Sequence, residues 1–282
     1  MRSLPPPNLS ARTVYRTCIS KAIPRYKRRL DALEQAVVDA ADEFEAAASA
    51  AALHTLKDLA KKPVDEADRT QLTNTYINRL VPDRAAGNAL YNALKKVRHK
   101  ICPLCGHRDV STLDHQLPKM KYPLLAVVPI NLVPACGICN KLKGEHVPKS
   151  ASEQTLHPYY DDLADQQWLF SRLKWIESCP PEITYFIRPP EGADSVLAAR
   201  VVRHFQMFCL AELYGPNAVR EMSNIRGILR GMNAAGRHKF LLLAESSVLV
   251  DKDAGGQNHW KRALFQTLAG DSRYLEGGFD QF

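Results

Sequence analysis

Two Cys-x-x-Cys pairs, Cys102-Pro-Leu-Cys105 and Cys136-Gly-Ile-Cys139, constrain this chain more than any other feature. Each pair sits on a tight turn, and the spacing lets four thiolates meet on one tetrahedral ion. Soft sulfur donors in that geometry select zinc, with a single iron as the minor alternative. Four protein ligands close the coordination shell, so the expected zinc is structural. A short β-rich segment gains little from its own core, whereas structural zinc contributes roughly 10–16 kcal/mol of binding free energy. Four unrelated buried cysteines would not repeat the same tight spacing. Cys18, Cys179 and Cys209 are left over as ordinary free or buried thiols.

Thiolate ligands must stay reduced, and residues 1–30 lack the apolar core of a secretion signal, being broken by Pro5, Pro6 and Pro7. No apolar run reaches membrane-spanning length. The expected location is the cytoplasm, with no membrane partner. The chain has 282 residues, is 45% hydrophobic and carries a formal net charge of +8. That composition is globular rather than disordered. Residues 1–30 hold Arg2, Arg12, Arg16, Lys21, Arg25, Lys27, Arg28 and Arg29 and no acidic residue, so this segment accounts for the whole excess. It reads as a basic arm that is a clamp on a phosphate backbone, a flexible solubilising tail or a strap on an acidic partner. Lys95, Lys96, Arg98 and Lys100 add positive charge just before the first cysteine pair.

Between the pairs, residues 110–113 read as a short strand ending at Asp114-His115, with Pro118 close behind. Adjacent strand residues face opposite ways, so this pair can serve one site only where the strand breaks. A second apolar stretch from Leu125 to Val133 contains Pro129 and Asn131 and leads back to the second pair. Asn140-Lys141-Leu142-Lys143, stopped by Gly144, reads as the first turn of a helix, placing Asn140 at a positive dipole end that favours phosphate. Singly, Asn131 is an ordinary turn former, Asn140 a helix cap and the lysines a solvated face.

Together, Leu113-Asp114-His115, Asn131-Leu132-Val133-Pro134 and Cys136-x-x-Cys139-Asn140-Lys141-x-Lys143-Gly144 resemble the HNH endonucleases, the ββα-metal nucleases, in their zinc-stabilised form. The name-giving positions fall on His115, Asn131 and Asn140, the last being asparagine as in the HNN variant. The resemblance covers about a sixth of the chain. It implies that His115 is the general base toward the attacking water, a role that suits a side chain titrating near neutrality. Asp114 and Asn140 would bind one catalytic divalent cation, magnesium or manganese, through oxygen ligands. Asn131 would orient the loop and the histidine, and Lys119, Lys141 and Lys143 would meet flanking phosphates. Double-stranded DNA is the substrate the resemblance favours. The alternatives are a nuclease acting on RNA or single strands, and a non-catalytic zinc module that only binds nucleic acid. His107 is surplus to four thiolates, and His157, like His146 near the module in sequence, reads as structural.

Elsewhere the pattern is mainly helical. Leu30, Leu33, Val37, Ala40, Phe44, Ala47 and Ala51 predict one long amphipathic helix ending near Lys62-Pro63. Its seam packs within the protein by default, with pairing to a second copy as the other outcome. Helices are expected over 65–80, 84–96, 166–177, 216–232, 236–250 and 259–268, with 196–214 between them and a strand over 183–187. The aromatic residues of this region read as core. No repeat or phosphate-binding glycine loop is present. The expected architecture is α+β and mostly helical: a basic arm (1–30), a helical region (31–98), an inserted zinc-clamped ββα (HNH) nuclease module (99–160) and a C-terminal mainly helical region (161–282). Stand-alone proteins of this layout resemble effectors of bacterial anti-phage defence that work beside an ATPase, which implies a docking role for the arm and the long helix.

Overall fold

The computed structural model describes residues 2–63, 65–250 and 256–281. They form a mostly helical α+β chain with two small antiparallel sheets among the described residues. No helix among them is long and apolar enough to cross a membrane. The chain divides into two compact units, Ser3–Asp161 and a second beginning at Asp162.

In the first unit the basic segment is folded, not a free arm. Helix α1 (Ala11–Ile19) starts at Ser10, whose hydroxyl accepts the Thr13 amide at 3.1 Å, and it buries Val14, Tyr15, Cys18 and Ile19. Those positions recur at helical spacing on one face, which packs on α3. Tyr15 donates its hydroxyl to the Leu30 carbonyl at 2.8 Å. Several of the positive charges are paired locally: Arg12 and Arg16 on Glu34, and Arg29 on Asp65 and Asp68. Residues with internal partners are less available to a phosphate backbone.

The single long helix predicted from Leu30 is two helices, α2 (Pro24–Ala32) and α3 (Glu34–Ser49). They meet at Leu33, and α3 ends well before Pro63. Its end is a Schellman turn: Ala51 has φ +53, its amide reaches the Ala48 carbonyl, and the Ala52 amide reaches the Ala47 carbonyl at 2.7 Å. Hydrophobic spacing does not report such a break, because the apolar residues beyond it still find core. α4 (Glu66–Arg79) follows, with Asp65 capping the Ala67 and Asp68 amides, and α5 (Asn88–Leu94) is shorter than expected.

Strand β1 (Thr112–His115) pairs antiparallel with β2 (Leu132–Ala135), placing Asp114 opposite Val133 and His115 opposite Leu132. β1 ends at the Asp114-His115 pair as expected but starts later, and β2 begins only near the end of the expected second stretch and runs past it. Helix α6 (Gly137–Lys143) completes a ββα arrangement. Leu113, Leu117, Leu125, Val128 and Leu132 belong to the same core as Val14, Leu30, Phe44 and Leu72, so the helices and this module share one interior.

In the second unit the sequence expectation fails at residues 166–177. They form β3 (Leu169–Ile176), which pairs with β4 (Cys179–Ile187) in a hairpin whose turn holds Ser178 at φ +59. Leu169, Leu173 and Trp175 fit a two-residue alternation as well as, together with Trp168, they fit a helical count, and the partner strand decides between them. Helices α7 (Ser195–Met207), α8 (Leu210–Arg230), α9 (Ala234–Val250), α10 (Trp260–Ala269) and α11 (Ser272–Leu275) follow. The helix expected to start at Pro216 starts earlier: Pro216 lies inside α8, and the chain turns at Cys209, φ +48. Trp168, Tyr185, Tyr214 and Trp260 are buried, as core residues.

Candidate metal centre and active site

Cys102, Cys105, Cys136 and Cys139 are buried, and their sulfurs all lie within 4.8 Å of one another. A zinc–sulfur bond of about 2.3 Å puts tetrahedral sulfurs about 3.8 Å apart, so the cluster has the donor set and size for one zinc ion. The turns are built for it. The Gly106 amide closes on the Cys102 carbonyl at 2.8 Å with Gly106 at φ +60, and the Arg108 and Cys139 amides point at the sulfurs of Cys105 and Cys136. Hydrogen bonding from Cys105 and Cys136, with burial, holds the Cys102 thiol far above its usual range. Sulfurs crowded this closely do not all ionise unless a cation sits among them. His107 is not part of the cluster.

His115 stands at the end of β1. Its Nε2 lies 2.9 Å from the Ala126 carbonyl. A carbonyl only accepts, so Nε2 carries the proton and Nδ1 is left as the basic nitrogen. The ring packs edge-on against Tyr76 of α4, centroids 4.4 Å apart. Burial lowers the His115 pKa to about 3, against the opposing pull of the Ala126 bond. The imidazole is therefore neutral at physiological pH, the form in which it can take a proton.

Asp114, His115 and Asn140 line one cavity of about 190 Å³, with Tyr76, Lys119 and Glu145 also on its wall. Asp114 and His115 thus both border this cavity, although both lie within the strand. Burial raises Asp114 to about 6, with the Lys143 ammonium pulling it back. Its Oδ2 has no hydrogen-bond partner among the described residues. Asn140 is half-buried on α6. It is not at the helix start: Cys136 is the cap, and the Asn140 amide already bonds the Cys136 carbonyl at 3.1 Å. The expected dipole-end phosphate site at Asn140 is therefore absent, and Asn140 borders the cavity from within α6.

Asn131 is fully buried. Its Oδ1 accepts the Leu117 amide at 2.8 Å, and its Nδ2 donates to the carbonyls of Leu117 and Leu125, each at 3.1 Å. Its own carbonyl takes the Gln116 amide at 2.8 Å. These bonds pin both ends of the loop that carries the Ala126 carbonyl to His115.

The three lysines separate. Lys119 lines the cavity with its ammonium 5.3 Å from the Tyr76 ring centre, and Lys141 is exposed on α6. Lys143, expected on a phosphate, is instead only 5% exposed; its ammonium lies 3.2 Å from Asp114 Oδ2 and donates to the His115 carbonyl at 2.5 Å. Helix α6 ends at Lys143 and directs it inward. Tyr76 is the site residue that sequence reading missed. Nothing near it in the chain carries a motif, and α4 brings it in from outside the zinc segment. His157 is buried against Phe44 and Tyr160, a structural placement as expected.

No protein-family model matches this chain, and no solved structure matches it. It is similar to Protein ea31 of Escherichia phage lambda, with 25% identity over 224 residues that span 74% of this chain and 75% of that protein.

Proposed function

We propose that this protein is a divalent-metal-dependent endonuclease of the HNH type that hydrolyses phosphodiester bonds in double-stranded DNA. The observation that carries the reading is the state of His115: Nε2 is tied to the Ala126 carbonyl, the ring is neutral, and it shares a cavity with Asp114 and Asn140 beside a four-cysteine cluster. An imidazole held in that tautomer presents Nδ1 to a water as a general base. Asn131 keeps it there by fixing the loop that supplies the carbonyl.

Asp114 and Asn140 offer hard oxygen donors, and Asp114 Oδ2, paired with the Lys143 ammonium at 3.2 Å but accepting no hydrogen bond, keeps lone pairs that suit a magnesium or manganese ion. When bound, such an ion neutralises charge on the phosphate and on the leaving 3′ oxygen. In this reading Lys119, at the cavity, and the exposed Lys141 meet flanking phosphates, and the buried Lys143 does not. The zinc cluster holds the ββα segment and takes no part in the chemistry. One site cuts one strand, so a double-strand break needs two sites or two binding events.

The test is a supercoiled-plasmid assay with and without magnesium or manganese, run on wild type and His115→Ala. Metal-dependent nicking that falls at least ~10²-fold in the variant, with DNA binding retained, is the expected result. Binding without turnover in the wild type would instead favour a non-catalytic zinc module.

A further inference from the structure

We propose that Lys143 is a positioning residue, the built-in counter-ion of Asp114, and that its charge sets how tightly Asp114 takes a divalent cation. The inference rests on the reading of Asp114 as a ligand of that cation.

Among the acidic groups of the described residues, the geometry assigns Lys143 to Asp114. The side chain leaves the last position of α6, and Gly144, at φ +52, turns the chain away immediately after it. The ammonium lies 3.3 Å from Asp114 Oδ1 and 3.2 Å from Oδ2, and it anchors on the His115 carbonyl. One cation thus binds the side chain of Asp114 and the backbone of His115, fixing the two groups relative to each other. Lys143 borders a separate, water-sized space of about 10 Å³ with Gln116, Gln154 and Thr155. Asp114, by contrast, lines the larger cavity with His115 and Asn140. The fixed cation therefore meets the carboxylate from the α6 side, while Asp114 as a residue also borders the larger cavity.

This arrangement solves a physical problem. A carboxylate only 2% exposed is strongly destabilising without a partner, so the site needs a positive charge when no metal is bound. The resident ammonium supplies it, and the same charge repels the incoming ion. Lys143 thereby lowers metal affinity in exchange for a site that stays formed without metal. A lysine that served only to hold structure would act in the opposite direction, since its removal would disorder the carboxylate and weaken metal binding. The sign of the change in affinity separates the two roles.

The experiment is calorimetric titration of manganese into the full, zinc-loaded chain, comparing wild type, Asp114→Asn and Lys143→Met. The proposal expects Asp114→Asn to weaken binding at least about tenfold and Lys143→Met to strengthen it at least about threefold, from removal of a like charge close to the ligand. Binding by Lys143→Met that is unchanged or weaker, while Asp114→Asn still weakens it, overturns the counter-ion role and leaves the proposed function standing. No binding by wild type, or no effect of Asp114→Asn, removes the metal-site reading and this inference with it. Zinc content and thermal unfolding report folding, and Lys143→Gln replaces Lys143→Met if the latter does not hold zinc. If both single variants fail to fold, the double variant Asp114→Asn/Lys143→Met decides. Recovery of zinc-loaded protein supports a buried charge left unpaired as the cause, and failure to recover it overturns the proposal.

Discussion

Replacing Asn131 with alanine removes three side-chain hydrogen bonds from a position with no solvent exposure. The cost follows from what each partner has left. The Leu125 carbonyl keeps the Val128 amide at 3.3 Å, so it loses only part of its bonding. The Leu117 amide and carbonyl have no such second partner among the described residues, and each buried group stranded in this way costs about 1–3 kcal/mol. Taking the lower part of that range twice, plus a few tenths for Leu125, gives a loss of about 3 kcal/mol for Asn131→Ala. Asn131→Asp keeps an acceptor for the Leu117 amide but turns the double donor into an oxygen facing two carbonyls. It is expected to cost more than alanine at neutral pH despite its equal size. Trp168, Trp175 and Trp260 all lie in the second unit, so a probe within the first unit reports this change directly. Urea unfolding of zinc-loaded protein followed by far-ultraviolet circular dichroism, with hydrogen exchange at the Leu117 amide as the local probe, gives the measurement. A loss below about 1 kcal/mol with the Leu117 amide still protected would refute the claim that Asn131 holds this loop.

Two further predictions address the rest of the first unit. Cys139→Ser should release zinc to a mild chelator that the wild type withstands, because one of four thiolates is gone; stoichiometric zinc retained after such dialysis would sink the four-sulfur assignment. Gly87→Ala should destabilise the unit by about 1–3 kcal/mol, since a Cβ there meets Cys18 Sγ at 2.8 Å and the Arg79 carbonyl at 2.9 Å. That carbonyl is itself bonded to the Gly87 amide, so relief requires backbone movement, and an unchanged denaturation midpoint would count against the packing described.

The expectations that succeeded and those that failed differ in how far apart the deciding residues are. Asp65 capping α4 is a contact over two or three residues, and the residues carry it whole. The hairpin β3–β4 was misread because residues 166–177 are compatible with either period, and pairing with residues 179–187 breaks the tie. The end of α3 was misread because a Schellman turn can close on alanine when core lies on both sides of it. The role of Asn131 as an orienting group agrees with its hydrogen bonds. Lys143 reads as one more exposed lysine until α6 is seen to end there and turn it inward.

The cysteine spacing by itself determined that four sulfurs can gather on one metal, because turn geometry and ligand chemistry are local. The same string placed Asp114, His115, Asn131 and Asn140 in an order that suggested a site. Only the tertiary structure decided which nitrogen of His115 is basic, since the Ala126 carbonyl reaches it through a folded loop. Only that structure brought Tyr76 to the imidazole from α4, and only it committed Lys143 to Asp114 instead of to solvent. Protonation, packing and pairing of these groups depend on burial, and burial is a property of the assembled core that no short stretch of sequence contains.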